Sequence, residues 1–196
     1  MCNRCGWAQH SELEIQYHDQ EWGQPQKNDQ VLFEFLILEA AQAGLSWRTV
    51  LEKREGYHQH YEGFDPVKVA AFDQDKIEQM LQDPGIIRNR RKVESSVENA
   101  RIFLEIQQEF GSFARFVWSF VDHQPIQNQW AAYADAPAET DESKALSKAL
   151  KKRGMRFVGP TICYAFMQAM GLVNDHEVTC PQYRVCQDLA KDWSPA

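Results

Sequence analysis

The sequence predicts an all-α fold in a single domain. Three observations lead there: apolar residues recur at helical spacing along most of the chain, strand-like alternation is nowhere sustained, and cap and turn residues punctuate the apolar runs. The length of 196 residues falls within the ~100–200 typical of one domain.

The first strong helix is "DQVLFEFLILEAAQAG", with Asp29 as its expected N-cap and Gly44 as its stop. "SWRTVLEKREGY" restarts from Ser46, which leaves Leu45 in a tight helix-to-helix turn. Further helices are expected over Pro66 to Phe72, Asp75 to Gln82, Arg88 to Phe110, Ser112 to Val121, Ser143 to Lys152 and Thr161 to Met170. The segment Tyr133 to Ser143 is polar and contains proline, so it reads as a loop rather than a domain linker. Trp118 and Phe120 read as core.

A net charge of -7 argues against a protein that coats nucleic acid indiscriminately. Two basic stretches stand out against it: "IIRNRRK" (Ile86 to Lys92) and "SKALSKALKKRGMR" (Ser143 to Arg156). From charge alone, solvated helix faces explain them better than phosphate-binding patches. The N-terminus lacks a signal-peptide core and no apolar run reaches the ~18 residues of a membrane span, so a cytoplasmic protein is expected. Five cysteines are an odd number, which fits metal binding or buried thiols better than a disulfide framework.

His176 and Cys180 stand four apart, a workable half of a structural zinc site. The N-terminus offers the other half either as Cys2 with Cys5 or as Cys5 with His18, and spacing does not choose between them. Glu39 is the second unusual feature. Apolar residues flank it in sequence and one turn away, so no helical face leaves it in water. A buried carboxylate needs a partner. Tyr17, Trp22 and Trp47 lie close in sequence, with Trp7 further off, which suggests aromatic walls around one carboxylate: a pocket for a flat, positively charged ligand. Finally, "RGMRFVGPTICYAFMQA" reads as a helix end, a turn through Val158-Gly159 and a new helix. Such a turn after a basic helix offers backbone amides to a phosphate.

The blocks "RCGW", "YHDQEWG", "LEAAQAGLSW", "FDPVKVAAF", "GIIRNRRK", "FVWSF", "ALKKRG", "FVGPTICYAFMQA" and "GLVNDHEV", in this order, closely resemble the 3-methyladenine DNA glycosylase I family of the helix-hairpin-helix superfamily, from about Cys5 to Cys180. The resemblance implies a helix-hairpin-helix glycosylase fold whose terminal segments, residues 1–25 and 174–186, are joined by one structural zinc ion. Its ligands would be Cys5, His18, His176 and Cys180, with Cys2 and Cys186 as spectators.

The same resemblance implies a base pocket of Tyr17, Glu39 and Trp47 with Trp22 in support. Glu39 is then the recognition residue, with possible catalytic help, and Asp175 a lower-ranked base. Where many superfamily members place a catalytic Asp, this chain has Asn174. No matching lyase lysine is present, so a monofunctional hydrolase is expected, which frees 3-methyladenine from alkylated duplex DNA and leaves an abasic site. Leu45 is the candidate wedge, and Lys151, Lys152, Arg153 and the backbone at Gly159 the candidate phosphate contacts, although Phe157 replaces the first glycine usual in the hairpin. A monomer without membrane contact is expected.

Two rival classes are a zinc-stapled DNA- or protein-binding module without catalysis, which has no need of Glu39, and a zinc hydrolase built on His58 and His60. The latter lacks an obvious third ligand, and "GYHQHYEG" reads better as a solvated helix end.

Overall fold

The computed structural model describes residues 4–194. Their α-helices are α1 (Glu12–Gln20), α2 (Asp29–Gln42), α3 (Trp47–Leu51), α4 (Arg54–His60), α5 (Pro66–Ala70), α6 (Gln74–Met80), α7 (Arg90–Phe110), α8 (Phe113–Trp118), α9 (Asp141–Lys152), α10 (Pro160–Ala169) and α11 (Pro181–Lys191). Single 3-10 turns, such as Glu62–Phe64 between α4 and α5, link several of them, and another, Gly6–Gln9, precedes α1. Two short strands, β1 (Ile126–Gln127) and β2 (Val173–Asn174), pair in parallel with Ile126 opposite Val173. No helix among the described residues is long and apolar enough to cross a membrane.

The helices expected from periodicity are present with ends shifted by one to three residues, except that the helix expected to run on from Ser46 to Tyr57 is broken after Leu51 into α3 and α4. The sequence reading lacked α1, α11 and the strand pair. Two residues are too few to show alternation, and α11 lies just past the His/Cys tail. Trp118 is fully buried and its indole N–H donates to the Gln26 carbonyl at 2.9 Å. Phe120 packs partly buried against the same core.

The centre of the molecule is α2, which buries Leu32, Phe33 and every residue from Phe35 to Ala41. A helix apolar on all sides belongs in the interior. Its N-cap is Asn28, whose side chain accepts from the Gln30 and Val31 amides, and not Asp29. Asp29 instead serves the start of α8, whose own N-cap is Ser112: its carboxylate accepts from the Phe113 and Ala114 amides, both at 2.8 Å, and from Gln107 Nε2 at 2.6 Å. At the other end of α2, Lys92 of α7 donates to the carbonyls of Ala41 and Ala43, each at 2.7 Å. Those are carbonyls that a helix C-terminus leaves without internal partners. Gly44 then turns the chain at φ +81°, and α3 follows from the Ser46 cap.

These pairings account for part of the first basic stretch. Lys92 is spent on α2, and Arg90 holds Glu78 through two hydrogen bonds of 2.6 and 2.7 Å. His60 pairs with Asp83 at 2.8 Å and His58 meets the edge of Phe64, so the two histidines form no shared ligand set.

Candidate base pocket and Cys/His cluster

Cys5, His18, His176 and Cys180 converge, all buried, with ligand atoms within 4.8 Å of one another. The two chain ends meet there: Cys5 precedes the Gly6–Gln9 turn, His18 lies on α1, and His176 and Cys180 bracket the loop between β2 and α11. Cys2, the alternative ligand, lies outside the described residues.

The donor set fits zinc. Tetrahedral bonds of ~2.3 Å to sulfur and ~2.0–2.1 Å to nitrogen imply sulfur-to-nitrogen separations of about 3.6 Å. Cys5 Sγ to His176 Nδ1 is 3.5 Å, Cys180 Sγ to His18 Nε2 is 3.7 Å, and Cys180 Sγ to His176 Nδ1 is 3.8 Å. Each imidazole is also oriented from behind, as metal-binding histidines usually are. His18 donates through Nδ1 to Asp19 at 2.8 Å, and His176 donates through Nε2 to the Trp22 carbonyl at 3.0 Å. Arg4 in turn holds Asp19 at 2.8 Å. Hydrogen bonding from Cys5 first, then from the histidines, holds the Cys180 thiol well below its ordinary range. The same bond and burial raise Cys5.

Beside the cluster lies a cavity of 180 Å³ lined by Trp7, Tyr17, Trp22, Glu39, Gln42, Trp47, Tyr133, Ala165 and Gln168. This volume, below the ~300 Å³ at which pockets for drug-sized ligands begin, suits a single heterocycle. Tyr17 and His18 are consecutive on α1, so one helical turn serves both the cavity and the cluster. Tyr17 stacks on Phe35 at 5.9 Å and leans on Trp47 at 5.2 Å. Behind Phe35, Arg54 lies 5.2 Å over the ring and is held by Glu21 and Glu34. Trp7 meets Trp22 edge to face at 5.1 Å, and Tyr133 closes against both.

Glu39 is 3 % exposed, and its Oε2 has no hydrogen-bond partner. Burial pushes its carboxyl up to about 8, because the charged form loses water and gains nothing in return. The Trp7 and Trp47 indole N–H groups are likewise buried without partners. Unpaired buried polar atoms are rare in native proteins. Here three belong to residues that line one cavity, a carboxyl oxygen and two indole N–H groups among aromatic rings.

Of the residues singled out from sequence, Tyr17, Trp22, Glu39 and Trp47 all line the cavity. Trp7, which read as more distant, lines it too, as do Gln42, Tyr133 and Gln168. Tyr133 was missed because it sits in the polar stretch read as a plain loop. Its amide donates to Glu177 at 3.0 Å, which fixes that stretch over the cavity. Asp175 is fully buried with four donors on its carboxylate. Both of its oxygens are thus engaged by neighbouring side chains.

A second groove of 300 Å³ runs outward from the cavity and shares Gln42, Tyr133, Ala165 and Gln168 with it. Leu45, 42 % exposed, stands on its rim. Beyond it, α9 and α10 form a hairpin. Its turn is pinned by Asn99, which bonds both the amide and the carbonyl of Arg156, and by Ser147 on the Val158 carbonyl. Phe157 adopts φ +56°, the left-handed conformation for which a glycine is usual. Gly159 caps α10 with open space around it. Lys151 and Lys152 are exposed, whereas Arg153 bonds Glu109 at 2.7 Å and lies over Phe110 and Phe116.

A helical scaffold thus holds an aromatic cavity around one buried carboxyl, and the chain belongs to the methyladenine glycosylase family, whose profile matches residues 7–183. It is 54 % identical over 180 residues to the DNA-3-methyladenine glycosylase 1 of Escherichia coli K12, covering 92 % of this chain and 96 % of that protein. A crystal structure of a 3-methyladenine DNA glycosylase I matches with a TM-score of 0.89 at 52 % identity, over 91 % of this chain and 98 % of that one. The Staphylococcus aureus 3-methyladenine DNA glycosylase I, solved for its recognition of 3-methyladenine, also matches with a TM-score of 0.89, at 37 % identity over 93 % and 97 % of the two chains.

Proposed function

We propose that this chain is a DNA-3-methyladenine glycosylase of base-excision repair, a monofunctional hydrolase that cuts the N-glycosidic bond of 3-methyladenine in alkylated duplex DNA. The observation that carries this reading is the unpartnered Glu39 oxygen in an aromatic cavity sized for one base.

Methylation at N3 gives the adenine of a nucleotide a positive charge and weakens its glycosidic bond. Ring faces of Tyr17 and Trp47 attract such a cation, and Glu39 accepts from its edge, with Trp22 supporting the wall. Binding the cation favours ionised Glu39, which relieves the cost of keeping that carboxyl buried. As the bond breaks, its electron pair leaves with the base and neutralises the ring. Water adds its oxygen to C1′ and releases a proton, and the products are free 3-methyladenine and an abasic site. A pocket that favours the separating base over the stacked one lowers the barrier, and a damaged base costs less to extrude.

Leu45 stands where a wedge fills the space left by the flipped base. Lys151, Lys152 and the Gly159 amide grip phosphates through the α9–α10 hairpin, used as a helix-hairpin-helix element. Arg153 braces that hairpin through Glu109. Cys5, His18, His176 and Cys180 hold one zinc ion. Two thiolates and two imidazoles close its coordination sphere, so bound zinc ties the chain ends together without taking part in the chemistry. The protein acts as a single-domain cytoplasmic monomer.

The test is chromatographic detection of free bases released from methylated duplex DNA by the native protein and by Glu39→Gln. Selective 3-methyladenine release that collapses by ~100-fold or more in the variant supports the reading. Absence of release from folded protein overturns it and leaves a non-catalytic binding module.

A further inference from the structure

Gln168 is the one cavity wall whose chemistry is dictated from behind. It lies buried on α10 and lines both the base cavity and the outer groove. An amide side chain offers an acceptor at one end and donors at the other. Which end meets a ligand depends on what holds the opposite end.

Here Asp175 decides it. Its Oδ1 accepts from Asn128 Nδ2 at 2.6 Å and Trp130 Nε1 at 2.9 Å, and its Oδ2 accepts from the Tyr164 hydroxyl and from Gln168 Nε2 at 2.7 Å. Four donors converge on one fully buried carboxylate, so Gln168 has to turn its nitrogen inward. Its carbonyl oxygen is left on the side of Tyr133, whose hydroxyl reaches it at 3.4 Å. A carbonyl oxygen has two lone pairs, and a single weak bond leaves one of them free.

Resting on the glycosylase reading above, we infer that Gln168 sets a preference for an adenine ring over a guanine ring, with Asp175 as the positioning residue that locks its amide. The cavity then has two acceptor-bearing walls, Glu39 and Gln168. Adenine carries an amine at C6, with two N–H donors for two acceptors. Guanine carries a carbonyl oxygen at the same position and would set lone pairs against lone pairs. A site built to accept hydrogen bonds rejects a ligand that cannot donate them, because its own buried polar groups are left unpaired.

The experiment uses the full chain and duplex DNA treated with dimethyl sulfate, and measures released 3-methyladenine and 3-methylguanine separately. Asp175→Asn lets the Gln168 amide turn over and present its nitrogen, and Gln168→Leu removes the acceptor. Both variants should lower the 3-methyladenine to 3-methylguanine ratio by ~10-fold or more. A merely structural role slows both bases together and leaves the ratio alone. Should Asp175→Asn fail to fold, Gln168→Leu carries the test, and tryptophan-fluorescence titration with the two free bases gives the same ratio without catalysis. Native release of 3-methyladenine with an unchanged ratio in folded variants overturns this inference alone. A native protein that releases neither base overturns the glycosylase reading and this inference with it.

Discussion

His176 and Trp22 are joined twice: the imidazole Nε2 donates to the Trp22 carbonyl at 3.0 Å, and the two rings meet edge to face at 4.6 Å. Gly23 follows in a left-handed turn at φ +81°, where a Cβ would lie 2.8 Å from His176 Nε2. The cluster and one wall of the base cavity are therefore a single piece of structure. Stripping metal from the zinc-loaded protein with a chelator should lower its melting temperature and weaken its affinity for free 3-methyladenine together, and zinc should restore both. Calorimetry and fluorescence titration on one sample check this. Loss of stability with unchanged base affinity would separate the cluster from the pocket.

Glu39→Gln should stabilise the protein while abolishing its activity. Burial pushes the folded carboxyl up to about 8 from an ordinary 4.5. Because the folded value is raised, its contribution favours the fold below pH 4.5 and is lost as pH rises toward 8. At pH 7 the penalty is on the order of 3 kcal/mol. The variant's gain in unfolding free energy should be largest near and above pH 8 and vanish below about pH 4.5. Denaturant titrations across that range read it directly.

Asp29→Ala should cost about 2 kcal/mol or more. It leaves the Phe113 and Ala114 amides at the start of α8 without their acceptor, while the Ser112 cap stays in place. Asn28→Ala, which removes the cap of α2 itself, should cost closer to ~1 kcal/mol. Urea melts rank the two.

Lys151→Ala and Lys152→Ala should each weaken binding to duplex DNA uniformly across sequences and reduce the salt slope by ~1. Arg153→Ala should instead lower thermal stability through loss of its contacts with Glu109, Phe110 and Phe116, with little change in that slope. Affinity measured at several salt concentrations separates the two kinds of residue.

Glu39 was legible in the sequence because its surroundings on α2 are local: a carboxylate in a helix that is apolar all round has nowhere wet to point. The helices were legible for the same reason, through periodicity and caps. Choosing His18 over Cys2 needed the family resemblance, since only His176 and Cys180 share a segment and no spacing rule fixes the partner of Cys5. Gln168 and Asp175 were not legible as a pair. Each is an ordinary residue by itself, and only the fold puts one behind the other. Asp29 shows the reverse failure: the residue type announces a helix start correctly, but the one it serves lies 84 positions away.

The cluster also imposes an order of events. Cys180 meets His18 across 162 positions of chain, so the wall formed by Tyr17 and Trp22 waits on residues far downstream of it. Contacts of such long sequence separation form late in folding. A partly synthesised chain with α2 and Glu39 already in place still has an open-sided cavity. Formation of that long-range contact is what walls the cavity on this side.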